Sequence, residues 1–213
     1  MTFPPEPWHL RGQLHLSAWL LPRSEVSSEL PPGVKIWTVA GRVLVTCAFV
    51  VYEQGGILEY NELLSAVLVR KGWRPMATIT DIWVDSAASK AGGRSIWGIP
   101  KELADFEYTV SPTRLRHRGS YPGIELAAAE FQSQRLLPGW WRLSCGIAQT
   151  LEGKLKVSTV RLRTRLQFTR ARWNFPGSSP LRHLQQHPKI FSLFFHDLHM
   201  TFGQSSEGSP AKR

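Results

Sequence analysis

The run Val43-Leu44-Val45-Thr46-Cys47-Ala48-Phe49-Val50-Val51 decides the fold class. It is apolar at successive positions, so an extended chain here buries both of its faces. Its β-branched and aromatic content favours a strand over a helix. A strand covered on both sides belongs deep in a sheet, with other elements above and below it. Working outward, Ala40-Gly41 separates this run from residues 34–39 and makes a hairpin candidate. Further upstream, Leu10, Leu14, Leu16, Ala18 and Leu20 recur at period two, which predicts a half-buried strand over residues 8–21. Residues 25–30 read as a short helical turn before the Pro31-Pro32-Gly33 stop. The Pro-rich residues 1–7 read as a loose arm.

Downstream, the apolar positions of residues 57–70 suit a helix nearly as well as a strand. Lys71-Gly72-Trp73-Arg74-Pro75 is a turn, and residues 76–84 are rich in strand formers. Residues 86–96 begin with a capping serine and small residues, which predicts a short helix. Residues 102–110 alternate as a strand, and the basic segment 114–119 reads as an exposed hairpin end. Strands follow at 123–131 and 140–149, with a turn at Pro138-Gly139.

The longest β-like run is 154–173. It sets Arg161, Arg163 and Arg165 on one face and Val160, Leu162, Thr164 and Leu166 on the other. The basic face reads first as a solvated sheet surface, with an oligomer interface or an anion-lined groove as alternatives. A helical turn over 180–188 and a last strand over 189–202 complete the pattern, and the Gly/Ser/Pro-rich tail 204–213 is expected to be disordered. Many strands punctuated by Gly and Pro make one β-dominated α+β domain over residues 1–203.

Composition narrows the function classes. The chain has 213 residues, 42% of them hydrophobic and 20% charged, which suits an ordered soluble protein. No apolar run approaches the length of a membrane span, and the N-terminus lacks the basic start and apolar stretch of a signal peptide, so a cytoplasmic location is expected. Cys47 and Cys145 lie in apolar runs and read as free buried thiols in a reducing compartment. The net charge of +10 raises nucleic acid as a partner. The charge is spread along strands and no recognition motif accompanies it, so nucleic acid is not expected. No Cys/His set has zinc spacing. On a regular strand His196 and His199 would face opposite ways, which argues against a shared metal ion. There is no Gly-x-Ser-x-Gly elbow and no phosphate-binding glycine loop.

The chemistry concentrates in Gly92-Gly93-Arg94-Ser95-Ile96-Trp97-Gly98-Ile99-Pro100-Lys101-Glu102-Leu103. Here one lysine stands in an apolar setting shaped by Gly and Pro. Taken alone, such a lysine lays its stem on apolar neighbours and keeps its head in water. Held dry instead, an amine loses the hydration that favours the ammonium. The neutral form attacks a carbonyl to give a Schiff base.

Gly93-Arg94, five residues, then Pro100-Lys101 resembles the acetoacetate decarboxylase superfamily, which carries Gly-Arg-Glu, four residues, then Pro-Lys-Lys. Tyr60-Asn61-Glu62 resembles the family's Tyr-x-Glu, with Asp81-Ile82-Trp83-Val84-Asp85 as the intervening strand. Weaker matches are the Pro-Pro-Gly turn and Trp173…Ser179-Pro180-Leu181 before the last strand. The resemblance implies a large antiparallel sheet closed into a cone-like β-barrel with a few short helices, and it tips residues from Asn61 onward to a strand. It implies Lys101 as the Schiff-base nucleophile and Glu62 facing the cavity. By their places near that lysine or the N-terminal strand, Arg94 is expected to brace the loop and Trp97, Pro100, Glu102 and Arg11 to support the pocket. The resemblance also implies a small oxo-acid substrate, no cofactor or metal, and a homo-oligomer. The chain departs from the pattern at Ser95 and at Glu102, which stands where the family has a second lysine. The family's N-terminal arginine falls by gapless counting at Gly12, one residue from Arg11. The implied activity is decarboxylation of a β-keto acid or chemistry on a related oxo acid. The alternatives are an imine-forming aldolase, dehydratase or hydratase, and a non-catalytic barrel that binds a small ligand.

Overall fold

The computed structural model describes residues 2–26, 29–111 and 114–203. In chain order its strands are β1 (Trp8–Pro22), β2 (Lys35–Ile36), β3 (Thr38–Val39), β4 (Arg42–Tyr52), β5 (Tyr60–Lys71) and β6 (Arg74–Val84). After the helix α1 (Ala87–Trp97) come β7 (Lys101–Leu103), β8 (Asp105–Val110), β9 (Arg114–Tyr121) and β10 (Ile124–Leu136). The chain ends with β11 (Trp141–Leu151), β12 (Lys154–Asn174) and β13 (Lys189–Phe202).

The strand order β11-β6-β5-β4-β1-β13-β12 closes on itself because β12 also pairs with β11. The result is a ring of strands, antiparallel except where β11 meets β6 at Ile147 and Ala77. Beyond β12 the sheet continues through β10, β9 and β8. This extension folds back over the outside of the ring: His117 of β9 stacks on Phe49 of β4 and lies beside His15 of β1. The apolar run in β4 is thereby explained. Ala48, Val50 and Tyr52 point into the ring, while Val45, Cys47 and Phe49 belong to a second core under the extension. Burial on both faces needs two separate partners, and the ring interior and the folded-back strands supply them.

The elements depart from the sequence reading where pairing partners are non-local. Residues 34–39 are two short pieces: β2 pairs with β5, and only β3 makes the hairpin with β4. Ala40 and Gly41 both have positive φ, 49° and 73°, as a tight two-residue hairpin turn requires. Residues 102–110 are not one strand. β7 lies parallel to β6, the Ala104 N–H donates to the Val84 carbonyl, and β8 leaves to pair with β9. Residues 114–119 are the body of β9 rather than an exposed hairpin end, with His117 buried. The turn expected over 25–30 appears as a short 3-10 segment at Arg23–Glu25, and residues 27 and 28 lie outside the described residues. The tail 204–213 also lies outside them.

The N-terminal segment, expected as a loose arm, is held at several points. The Trp8 indole N–H donates to the Pro4 carbonyl at 2.9 Å, and Glu6 takes the Trp97 indole N–H at 2.8 Å. Of the two thiols Cys47 is buried and Cys145 is exposed, so only one fits the buried reading. Among the described residues no helix is long and apolar enough to cross a membrane.

Candidate active site

The site is built on the β6-α1-β7 crossover. Ser86 caps the helix, its hydroxyl accepting the Ser89 N–H at 3.2 Å, which satisfies one of the free donors of the first turn. The helix ends at Gly98 with φ of 68°, and a Cβ there would run into the Thr150 carbonyl. This left-handed residue turns the chain sharply back. Ile99 is buried by the turn, Pro100 faces outward, and Lys101 is placed beside Ile82 of β6. The Lys101 side chain lies along α1. A Cβ on Gly93 would fall 2.8 Å from Lys101 Cδ, so that glycine makes room for the lysine stem.

Lys101 is only 4% exposed. Its Nζ donates to Glu62 Oε2 at 2.8 Å, to Ser89 Oγ at 2.9 Å and to the Tyr60 hydroxyl at 3.3 Å. Three acceptors match the three N–H groups of a lysine head. Glu62 sits on β5 between Val50 and Val84, and is likewise buried. Burial, reinforced by the Glu62 charge, pushes the Tyr52 and Tyr60 hydroxyls well above the ordinary phenol range. Both therefore remain neutral at physiological pH. Tyr60 can donate its proton or accept one from the amine.

Behind the amine lies a chamber of about 210 Å³ inside the ring. Its wall is mostly aliphatic, including Leu10, Leu14, Ile79, Ile82 and Phe195. Trp8 and Trp97 close one side in an edge-to-face pair, with ring centroids 4.8 Å apart. Lys101 and Glu62 are the only charged groups lining it among the described residues. Cys145, the exposed thiol, also reaches this wall.

The other expected site residues divide. Trp97 lines the chamber. Arg94 does not; it braces β7 from outside, its Nε donating to the Lys101 carbonyl at 2.7 Å and its Nη2 pairing with Glu102. Glu102 points away from the amine and is also held by Lys90 at 2.8 Å. The Lys90 hydrogen bond, helped by Arg94, keeps its carboxyl below the usual carboxylate range. Pro100 is exposed and lines no part of the chamber; it shapes the turn only. Arg11 is on the outer, exposed face of β1 and cannot reach the amine. Gly12 occupies the inward position between Leu10 and Leu14, and a Cβ there would collide with the Val51 carbonyl. No arginine therefore enters the chamber among the described residues.

His196 and His199 do not face opposite ways as expected. Asp197, with φ of 47°, is an extra residue in β13 relative to its neighbours, and this bulge returns both histidines to the outer face. His196 bonds to Gln167 at 2.6 Å, and no metal-binding group forms among the described residues.

Two contacts of the amine, Tyr60 and Ser89, are not among the expected site residues. Tyr60 carried a signal, since it stands two residues before Glu62 on one strand and so shares its face. Ser89 carried none: it is a small residue in the first turn of α1, brought to the amine only by the crossover.

A family model described as acetoacetate decarboxylase (ADC) matches residues 1–139, which include β5, α1 and β7. The chain belongs to the acetoacetate decarboxylase family. Solved structures agree on the fold. The acetoacetate decarboxylase of Legionella pneumophila subsp. pneumophila str. Philadelphia 1 is similar at 20% identity and a TM-score of 0.71, over 95% of this chain and 87% of that one. A second acetoacetate decarboxylase structure is similar at 14% identity and a TM-score of 0.72, over 94% and 88%. The enduracididine biosynthesis enzyme MppR complexed with pyruvate is similar at 17% identity and a TM-score of 0.68, over 94% and 90%. A search of curated proteins gives no significant match. The acetoacetate decarboxylase fold is thus shared by proteins with different names and ligands, and the reaction must be argued from the site.

Proposed function

We propose that this family member is an imine-forming enzyme in which Lys101 attacks the ketone of a β-keto acid or related oxo acid. The observation that carries this reading is the 2.8 Å contact between the buried Lys101 Nζ and Glu62 at the edge of an apolar chamber. To attack, the nitrogen gives up a proton, and Glu62 is within reach to accept it. Addition to the carbonyl gives a carbinolamine. Glu62 or Tyr60 then returns a proton to the departing hydroxyl, and water leaves as the protonated imine forms. In a β-keto acid the bond to the carboxylate breaks next, its electron pair flows into the imine, and carbon dioxide departs. The enamine is protonated at carbon, and water releases the ketone and regenerates the amine. Aliphatic walls favour this sequence, because a carboxylate loses its charge as it becomes carbon dioxide and is not stabilised in such surroundings.

A second reading keeps the imine and changes the fate of the adduct. Among the described residues no arginine lines the chamber to hold a carboxylate, and at Gly12 a side chain would run into the Val51 carbonyl. An uncharged carbonyl compound fits that wall, with the enamine used for aldol or dehydration chemistry. The likeness to MppR supports keeping this reading, since one structure of that enzyme holds the condensation product of pyruvate and imidazole 4-carboxaldehyde.

Borohydride trapping tests both. The chain is incubated with acetoacetate, pyruvate and a panel of uncharged ketones and aldehydes, reduced, and read by intact mass and peptide mapping. A reduced adduct on Lys101, absent from Lys101→Met, is expected. Carbon dioxide release separates decarboxylation from the second reading. No adduct with any compound would overturn imine chemistry and leave a ligand-binding barrel.

A further inference from the structure

A second feature lies on the opposite side of the same wall. Four neighbouring strands, β1, β13, β12 and β11, place one residue each in a single cross-strand row. Arg11 pairs with His199, His199 with Arg163, and Arg163 with Arg142. In the next row Arg161 stands between Thr201 and Ser144. These side chains are on the outer face, while Leu10, Leu162 and Met200 between them point into the chamber. They line an open groove of about 640 Å³. At ordinary strand spacing the row of four spans about 14 Å, and the two rows lie about 7 Å apart.

Like charges directly opposite one another across a sheet are destabilising. The protein neutralises such charge elsewhere: on β9, Arg114 and Arg116 pair with Glu130, and Arg118 pairs with Glu125. In the groove nothing comparable occurs. Among the described residues none of Arg11, Arg142, Arg161 and Arg163 forms an ion pair. Glu53, which follows the strand beside Arg11, directs its carboxylate to Gln13 at 2.6 Å. Arg163 instead rests on an aromatic face, its guanidinium 4.0 Å from the centre of the exposed Trp140 ring. That contact fixes the guanidinium plane and leaves its N–H edges free.

The geometry points to this groove as a binding site for a compact anion that carries several phosphate groups. Guanidinium forks match phosphate oxygens in pairs. Four of them within this span suit a charge near that of an inorganic triphosphate rather than of a single carboxylate. The Ser144 hydroxyl adds a donor beside Arg161, while the Thr201 hydroxyl is bonded to the His9 ring at 3.2 Å. The sheet separates this ligand from Lys101, so the site does not depend on the chemistry inside the ring.

The test is calorimetric titration of the full chain with sodium triphosphate, at an ionic strength held constant with sodium chloride. One triphosphate per chain is expected. Arg142→Gln/Arg163→Gln should weaken it at least tenfold, while Lys71→Gln/Arg74→Gln, which removes the same charge from the β5–β6 turn, should change it less than twofold. Without the anion, Arg142→Gln/Arg163→Gln should melt no lower than the parent at low salt, because repulsion along the row is relieved. If that variant does not fold, Arg163→Lys keeps the charge but loses the fork, and should weaken binding at least threefold. Equal losses in both double variants, or no loss in Arg163→Lys, would overturn a specific site. Citrate binding as tightly as triphosphate would overturn the assignment to phosphate. Absence of binding, with the groove closed between two copies in size-exclusion and cross-linking measurements, would show an interface instead.

Discussion

Replacing Lys101 and Glu62 separately and together tests whether the site is held at the expense of stability. Each side chain is 5% exposed, and their charged atoms are 2.8 Å apart. Removing one partner of such a buried pair leaves a charge without compensation and costs roughly 3–5 kcal/mol. The two single variants should differ within that range. In Glu62→Leu the amine keeps Ser89 and Tyr60 as acceptors, so the loss should lie near 3 kcal/mol. In Lys101→Met the carboxylate loses its cation within aliphatic walls, so the loss should approach about 5 kcal/mol. The double variant leaves an apolar chamber without the cost of burying two ions. It should lie within about 1 kcal/mol of the parent or be more stable by up to about 4 kcal/mol. Urea unfolding at constant m-value measures all four proteins. A double variant that loses the sum of the single losses would show that the two groups do not sense each other, and the assignment of the pair as one unit would fail. All three variants should abolish or severely reduce borohydride trapping, whatever their stability.

A pH dependence should come from the second core. His15 and His117 are buried side by side, and one nitrogen of each ring has no hydrogen-bond partner among the described residues. Burial lowers His117 to about 4 and takes His15 well below its usual value, with the neighbouring His117 adding to the shift in His15. Unfolded histidine titrates near 6.5, so below that pH the unfolded chain binds more protons than the folded one. Stability is complete above about pH 6.5 and is lost as pH falls from there towards 4, by roughly 3 kcal/mol for His117 alone. Urea unfolding at pH 7.5 and pH 5 should show the loss, and His117→Phe should remove part of its slope; an unchanged slope would contradict this origin. Gly93→Ala should separate stability from chemistry. Alanine favours the helix by about 1 kcal/mol, which offsets part of the crowding, yet its Cβ would fall 2.8 Å from Lys101 Cδ, on a stem whose head is held by three hydrogen bonds, so the lysine must shift. Melting temperature should move by only a few degrees while the rate of borohydride trapping falls at least tenfold, and an unchanged rate would contradict the packing argument.

Local periodicity was enough for most strands, for the Ser86-capped helix, and for the two faces of β12, because each depends on side-chain alternation or capping chemistry within a few residues. Lys101 and Glu62 were legible only through the spacing of short motifs; composition alone left Lys101 as an ordinary lysine with its head in water. Alternation along an extended strand already turns Glu102 away from Lys101; what the sequence could not show is that Lys90 and Arg94 wait for it outside, which depends on α1 and β7 packing beside β6. Ser89, the single-residue bulge at Asp197 and the alignment of Arg11, Arg163 and Arg142 were equally invisible. Periodicity assigns a side chain to a face, but strand register and ring closure decide which distant side chains share that face. Those are set by contacts between residues far apart in the chain, and only the assembled sheet specifies them.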